Sequence, residues 1–232
     1  MTGWSEIISA AKLLIDDVRW QKELEISAAQ FFRAKSDFVK MALPRLNRPP
    51  GLLDYLQENL SDPEYDSAQW ESTEASTEIQ TVVSLGMAGY DLCTVSQRTQ
   101  GGLYSVPYTD FTYDAESGSV TFGIQPEAGL EYEIDFYTDG TVNDLSPTQM
   151  RLFALAVAVT WDERFDRTWL NMQPKIKDQS FETVNEANWT EKVSQRLVRN
   201  EQALSDELNK YEQDCAFRAR FRDPVFRGRG LF

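Results

Sequence analysis

With 232 residues, of which 41% are apolar and 12% aromatic, the chain can bury a full core in one large or two small domains. This composition excludes wholesale disorder, and the absence of histidine removes the commonest general base and metal ligand. The longest apolar run, residues 152–161, falls short of the roughly 18 residues that a membrane helix needs. The first residues lack the basic and apolar regions of a signal peptide.

Charge is strongly segregated along the chain. Arg98 is the only basic residue between Arg48 and Arg151, and residues 49–150 carry 18 carboxylates, for a net charge of −17. The last fifteen residues reverse this balance with five arginines against one aspartate, a net charge of +4. Such segregation of charge bears on which partners the chain can bind more than on its fold. The basic end suits an acidic neighbour, whereas the acidic middle cannot bind a polyanion.

The first predicted elements are helical. Apolar residues recur at three- and four-residue spacing over 4–43, which predicts either one helix that bends near Trp20 or two helices that meet there. Pro44 and the segment 49–51 end this region. Residues 51–60 then predict one short helix with Pro50 just inside its start.

The middle of the chain predicts strands. Residues 61–76 are polar and acidic and predict a linker or an exposed loop. From residue 77 the apolar period changes to 2, which predicts a small antiparallel β module of four to six strands over 77–140. Its clearest part predicts a hairpin of 120–124 and 130–137 around a turn at 125–129. The buried face of the second hairpin strand would carry Leu130, Tyr132, Ile134 and Phe136. The opposite, wet face would carry Glu131, Glu133 and Asp135.

A clear helix start follows the β module. Ser146, Pro147 and Gln149 form an S-x-x-Q capping box with proline at the first helical position. The helix that follows is apolar nearly all round, which predicts burial on most sides. After a loop at 171–183, a stripe close to a heptad predicts a long helix from about 185 to about 222, which Asp223 and Pro224 stop.

These elements predict an α+β fold. Its helical core consists of N-terminal helices, a buried central helix and a long C-terminal helix, with a small antiparallel β module inserted and an extended C-terminal tail. The predicted parts are an N-terminal helical part (1–60), an acidic loop or linker (61–76), the inserted β module (77–140), a C-terminal helical part (141–222) and a docking tail (223–232).

Carboxylates of the acidic middle suggest two weak candidate sites. Glu131 with Glu133, or Asp110 with Asp114, could serve glycoside hydrolysis, but same-face neighbours on a wet strand are normally solvating charge. Asp62, Glu64 and Asp66 alternate and could bind calcium, although the glycine and the closing glutamate of an EF-hand loop are missing.

Other residue groups point away from catalysis. The segment 86–89 lacks the lysine of a P-loop and predicts a turn between strands. The aromatic residues of the β module could form a carbohydrate platform, but their alternation favours a division between core and cover. Cys93 and Cys215 stand alone and predict reduced, buried, inert thiols in a cytosolic chain. We therefore predict no catalytic residue, no cofactor and no metal, and a protein that is not an enzyme.

The C-terminal end interleaves apolar anchors with cations. Aromatic anchors flanked by arginine are the composition of interface hot spots, so we expect this end to be ordered on another subunit rather than frayed in solvent. RNA binding is a rival use of arginine and glycine, but the acidic middle would repel RNA. The predicted docking residues are Phe217, Arg218, Arg220, Phe221, Arg222, Phe226, Arg227, Arg229, Leu231 and Phe232.

The order of these elements resembles the head-to-tail adaptors of tailed bacteriophages, the portal-bound neck or gatekeeper proteins, notably of the short-tailed podovirus type. The similar pattern runs from Phe111-Thr112-Tyr113-Asp114 to Asp135-Phe136-Tyr137, then through Leu145-Ser146-Pro147 and the helix ending in Trp161-Asp162-Glu163-Arg164-Phe165. With the long last helix and the extended end it covers residues 77–232, by element order and texture rather than by a short motif.

The resemblance implies a structural virion protein that is made in the host cytoplasm and located at the head-tail junction. Such adaptors form homo-oligomeric rings, usually dodecamers, beneath the portal protein ring. They close the portal exit after DNA packaging and connect the head to the tail nozzle, the tail terminator or other neck proteins. During genome ejection DNA passes through the lumen without specific binding, and no membrane is involved.

The resemblance also implies that the C-terminal docking residues bind the portal, and it offers no catalytic residues. Two alternatives stay open at this point. One is another neck or tail-completion protein of a phage. The other is a secreted carbohydrate-binding or glycoside-acting module that would use the aromatic residues and carboxylates of the β module.

Overall fold

A computed structural model describes residues 1–15, 20, 27–72, 81–98, 105–123, 129–172 and 183–222, without the side chains at 81, 165–172, 183–190, 193 and 220–222. Its helices are α1 (Trp4–Lys12), α2 (Ala28–Ala42), α3 (Leu52–Gln57), α4 (Pro147–Met172) and α5 (Thr183–Arg222), with a 3₁₀ turn at Leu43–Arg45. Its strands are β1 (Thr2–Gly3), β2 (Glu64–Glu71), β3 (Thr81–Ser84), β4 (Leu92–Arg98), β5 (Ser105–Tyr108), β6 (Phe111–Asp114), β7 (Ser119–Phe122), β8 (Glu131–Thr138) and β9 (Thr141–Val142). The predicted α+β class is confirmed.

Helices α1, α2, α4 and α5 enclose one hydrophobic core. Helix α4 lies at its centre, and every residue from Leu152 to Val159 is buried, as the apolar sequence predicts. The predicted capping box is present, since the Ser146 N–H donates to Gln149 Oε1 at 2.9 Å and the Gln149 N–H donates to Ser146 Oγ at 3.4 Å. Aromatic contacts close the core, such as Trp20 against Trp161 with ring centroids 4.7 Å apart.

Within the described residues, the region predicted as helical over 4–43 contains α1 and α2, and Trp20 between them is also helical. Residues 16–19 and 21–26, where a bend or a junction of helices was predicted, lie outside the described residues. Ser27 caps the start of α2, because its Oγ accepts the N–H of Gln30 at 3.2 Å. Helix α1 has Gly3 at its cap position, and the carboxylate of Asp139 accepts the N–H of Ser5 at 3.1 Å instead. A negative charge from the end of β8 therefore stabilises the positive end of α1.

The strands form two sheets and a short ribbon, all antiparallel. A four-stranded sheet has the order β2-β8-β4-β5, a three-stranded sheet has the order β3-β7-β6, and β1 pairs with β9. The two sheets share a second core that contains Phe122 from the smaller sheet and Tyr132 and Phe136 from the larger one. Trp70 of β2 stacks on Phe122 at 5.1 Å between ring centroids.

Strand β8 is buried on both faces from Ile134 to Tyr137. Tyr132, Ile134 and Phe136 fill the core between the sheets, as predicted. The opposite face was predicted to be wet, but Asp135 is 0% exposed and Tyr137 is 2% exposed. The prediction is wrong for Asp135 because α2 packs on that face of β4 and β8, where Tyr137 is also buried.

The predicted hairpin between 120–124 and 130–137 is also wrong. Strand β7 pairs with β3 and β6, whereas β8 pairs with β2 and β4 in the other sheet. Both strands direct every second side chain, an apolar one, into the same core. This alternation in the sequence is the same whether the two strands are hydrogen-bonded neighbours in one sheet or lie in two sheets that pack face to face. Most of the predicted turn, at 124–128, lies outside the described residues.

Three boundaries differ from the sequence predictions. The segment predicted as a loop at 61–76 contains β2, an edge strand that needs few apolar residues because neither face is deeply buried. Helix α3 begins after Gly51, whose φ of 87° is not helical, so Pro50 lies outside it. The ribbon of β1 and β9 was not predicted, since two-residue strands leave no periodicity. The loop predicted at 171–183 falls mainly outside the described residues.

Candidate functional site

The last turns of α5, residues 212–222, form a surface that we call the helix end. Burial of α5 against the core ends near Leu208, which is 8% exposed, and Tyr211 is half-buried. From residue 212 to residue 219 every side chain is exposed except that of Cys215, which is half-buried. Phe217 is 61% exposed. The helix end therefore exposes the phenyl ring of Phe217 to solvent, beyond the point at which α5 leaves the core.

Contacts with the start of α4 fix the point at which the helix end leaves the core. Gln149 Nε2 donates to the hydroxyl of Tyr211 at 2.9 Å, and Arg151 pairs with Glu207 at 3.4 Å. Burial raises the pKa of Tyr211, and the neighbouring Cys215 adds to that increase. Beyond Tyr211 the helix continues to residue 222, which is about 16 Å at 1.5 Å per residue.

The structure places part of the predicted docking segment. Phe217 and Arg218 lie exposed on the helix end. Arg220, Phe221 and Arg222 belong to the last turns of α5, where only the backbone is described. Five further predicted docking residues lie outside the described residues. These are Phe226, Arg227, Arg229, Leu231 and Phe232.

Apart from the buried Asp135, the described acidic residues of the β module are exposed or half-buried. Arg98, the only cation of this region, lies 3.8 Å from Glu131 and 3.7 Å from Glu133, and so pairs with the two carboxylates of the weak glycosidase candidate. Of the calcium candidates, Asp62 pairs with Lys40 at 2.8 Å, and Glu64 and Asp66 lie exposed on β2. Among the described residues no group of three or more potential ligands could hold a metal ion.

The aromatic residues of the β module serve mainly as core. Trp70, Tyr108, Phe122 and Tyr132 contact one another with centroid distances of 5.1 to 5.7 Å. Tyr113 lies on the smaller sheet and donates its hydroxyl to the carbonyl of Met87 at 2.7 Å. The segment 86–89 connects β3 and β4 and includes a turn, as predicted. Of the two thiols, Cys93 is buried as predicted, whereas Cys215 is only half-buried.

One polar cluster was missed by sequence reasoning. Asp135 of β8 accepts hydrogen bonds from Ser27 Oγ at 2.9 Å and from the Tyr65 hydroxyl at 2.7 Å. Thr94 Oγ1 lies 2.7 Å from Ser27 Oγ, and the guanidinium of Arg33 stacks 4.1 Å above the Tyr65 ring. Burial first, and then Asp135, raise the pKa of Tyr65 to about 12. The cluster joins α2 to three strands, which is a structural role.

An open cleft of about 670 Å³ runs between α2 and the outer strand β2. Helix α2 packs on β4 and β8, and the cleft borders the part of the sheet beyond them. Its lining residues are Gln30, Arg33, Ala34, Asp37, Tyr65, Ser67 and Glu133. The lining mixes both charges and gives no arrangement of a nucleophile with a base.

Comparison with the models of known protein families, with curated proteins and with solved structures found no match. Over the described residues, no helix has both the length and the apolar character required to cross a bilayer.

Proposed function

We propose that this chain is the head-to-tail adaptor of a tailed bacteriophage. In this role, copies of the chain form a ring beneath the portal protein, close the portal exit after DNA packaging, and connect the head to the tail. DNA passes through the lumen of the ring during ejection. The helix end contacts the portal ring.

The observation that carries this proposal is the helix end. Phe217, 61% exposed, stands next to Arg218 on a helix that has already left its core. Aromatic residues and arginines are enriched in protein interfaces, and an exposed aromatic side chain gains most when a partner excludes water from it. The resemblance of the element order to phage adaptors identifies the portal as the partner that we propose.

The negative charge of the acidic middle of the chain is compatible with the wall of a DNA channel. Residues 49–150 carry a net charge of −17, and carboxylates such as Asp91, Asp110 and Glu116 are exposed. An acidic wall repels the phosphates of DNA, so a polyanion moves past it without binding. The same charge on an outer surface would keep the ring soluble.

The test is electron microscopy and mass measurement of the purified chain, alone and mixed with portal rings from the same phage. We expect rings, or monomers that become rings on the portal. Phe217→Ala combined with Arg218→Glu should weaken portal binding at least about tenfold, since anchor residues contribute 2 kcal/mol or more. Val198→Ala is the matched control, because Val198 is 60% exposed on the same helix but lies far from its end.

Truncation after Asp214 should leave the fold intact and abolish assembly on the portal. A chain that ignores every particle component, or a truncated chain that still binds the portal with unchanged affinity, would refute the proposal. Binding to another neck or tail component in place of the portal would favour the tail-completion alternative. Sugar binding that is lost on substitution of tyrosines in the β module would favour the carbohydrate-binding alternative.

A further inference from the structure

Strand β2 is a long open sheet edge. It pairs with β8 along eight residues, Glu64 to Glu71, and it is the first strand of its sheet. No described residue pairs with its other side, and none of its side chains is buried. An edge of this length presents a row of backbone donors and acceptors to which a further strand can add.

The register shows which backbone groups face outward. The Ser72 N–H donates to the carbonyl of Leu130 at 3.0 Å, and the Ser72 carbonyl accepts the Gly129 N–H at 2.8 Å, so residue 72 bonds toward β8. Bonding alternates along an antiparallel ladder, which directs the backbone groups of residues 65, 67, 69 and 71 to the open side. The hydrogen bond of Ser67 is consistent with this direction, since its N–H donates to the side chain of Asp66 at 2.8 Å and not to β8.

The outer strands β3, β5 and β6 of the two sheets are protected against the addition of a further strand. Strand β5 has four residues and contains Pro107, which cannot donate to a ladder. The edges of the smaller sheet, β3 and β6, also have four residues each. Strand β2 instead carries exposed Glu64, Asp66 and Glu71, which repel a second acidic edge and attract a cationic strand.

The C-terminal end of the chain offers a segment of complementary charge. In extended backbone, residues alternate between two faces, so Val225, Arg227, Arg229 and Leu231 share one face. The two arginines are two residues apart, as are Glu64 and Asp66 on one face of β2. In the register given below, residues 225–229 lie against residues 68–64 of β2.

We propose that residues 225–229 of one copy add to β2 of a second copy as an antiparallel strand. Arg227 then lies opposite Asp66, and Arg229 lies opposite Glu64. The same register places Val225 beside Ala68, which packs on the core between the sheets. On the opposite face, Gly228 lies beside Tyr65 and Phe226 lies beside Ser67, where the cleft of about 670 Å³ has room for an aromatic ring.

This proposal deepens the adaptor function and rests on it for the presence of a neighbouring copy. It divides the predicted docking segment in two. The helix end contacts the portal, and the residues beyond Pro224 join adjacent subunits of the ring. Self-association in solution can be measured without the portal, so failure of the subunit contact and failure of portal binding are separate results.

The first experiment reverses charge on each side of the contact. Glu64→Lys with Asp66→Lys, or Arg227→Glu with Arg229→Glu, should lower the apparent association constant of the full chain at least about tenfold at low salt, by sedimentation equilibrium. Combining the four substitutions should restore association. The matched control, Asp110→Lys with Glu116→Lys, reverses two exposed carboxylates beside the smaller sheet and should change association little. Equal loss in the control, or no recovery in the combined variant, would overturn the proposal.

The second experiment identifies the occupant. In a Cys215→Ser chain, Asp66→Cys with Arg227→Cys should form disulfide-linked dimers and ladders on mild oxidation, because directly opposed Cβ atoms lie about 5 Å apart. Asp66→Cys with Gly228→Cys is the control, since its second thiol lies on the opposite face. A disulfide within one monomer would show that the chain's own tail occupies the edge, and would overturn the contact between copies. Absence of any disulfide at the highest soluble concentration would overturn strand addition.

Discussion

Ser27 Oγ donates a hydrogen bond of 2.9 Å to Oδ2 of Asp135, and both side chains are almost completely buried. Ser27 is also the N-cap of α2, and Asp135 lies in the middle of β8. One hydroxyl therefore fixes both the start of a helix and the position of that helix on the sheet. This link is a main polar contact between the helical part and the β module.

We expect Asp135→Ala to lower the free energy of unfolding by about 3 kcal/mol, since it leaves the hydroxyls of Ser27 and Tyr65 without their charged acceptor. Asp135→Asn should cost less, because an amide oxygen can still accept one of these bonds. Urea denaturation followed by circular dichroism measures both. The control is Asp66→Ala on the exposed edge, expected within about 0.5 kcal/mol of the parent. Equal costs at the two positions would contradict the buried link.

Alkaline pH should weaken the same cluster through Tyr65, whose pKa is raised from 10.0 to about 12 in the folded chain. The unfolded chain loses this proton first as pH rises. The stabilisation is therefore fully present below pH 10 and is lost as pH approaches 12. Tyr65→Phe should be less stable at pH 8 and lose stability less steeply between pH 10 and pH 12. Urea midpoints at several pH values test this, and identical slopes would refute it.

The buried ion pair between α4 and α5 should be costly to break. Asp162 is 0% exposed, and it accepts from Arg196 Nε at 2.8 Å and from Asn200 Nδ2 at 3.0 Å. Asp162→Ala should lower the free energy of unfolding by about 3–5 kcal/mol, because it leaves a guanidinium in the core without its carboxylate. Glu207→Ala removes a partner of the exposed Arg151 and should cost under about 1 kcal/mol. A small effect at Asp162 in thermal or urea unfolding would show that water reaches this pair.

Local signals in the sequence predicted the local structure well. The capping box at Ser146 and Gln149, the buried α4 and the end of α5 all depend on neighbours within a few residues, and the structure has each of them. Sheet assembly depends on distant residues. Because β7 and β8 fill one core from opposite sides, no local pattern could separate facing strands from paired ones.

Gly118 should be the least replaceable glycine of the smaller sheet. Its φ is 65°, and a Cβ there would lie 2.4 Å from the carbonyl carbon of Met87 and 2.5 Å from the nitrogen of Ala88. Gly118→Ala should therefore cost more than about 3 kcal/mol, combining backbone strain with a clash against main chain. Gly89→Ala is the control, since Gly89 has a φ of 88° but no atom within 4 Å of a Cβ. It should cost only about 1 kcal/mol in thermal unfolding. Equal costs of Gly118→Ala and Gly89→Ala would show that the main chain at Met87 and Ala88 moves away from residue 118 to make room for the methyl group.

The two thiols should differ in reactivity. Burial, with a contribution from Asp135, raises the pKa of Cys93 from 9.0 to about 12. That increase lowers the thiolate fraction at pH 8 by about a thousandfold. A thiol reagent should modify the half-buried Cys215 in the folded chain and Cys93 only in denaturant, as mass spectrometry with peptide mapping can show. Rapid modification of Cys93 without denaturant would mean that the β module opens readily.

The candidate site was predictable in composition but not in geometry. The arginines and phenylalanines of the C-terminal end are evident in the sequence, and Phe217 is exposed as an anchor must be. The edge at β2 was not predictable, because its carboxylates indicated a loop. Asp135 was wrongly predicted to be exposed, because only the packing of α2 on β8 removes its side chain from water.

The position of β8 has a consequence for how the molecule opens. Its side chains belong to the core between the sheets on one face and to the junction with α2 on the other. Neither part can separate from the other without exposing this strand. We therefore expect the amides of β8 to exchange hydrogen with solvent only through complete unfolding, at a rate set by the stability of the whole chain. The helical part and the β module then melt as one cooperative unit.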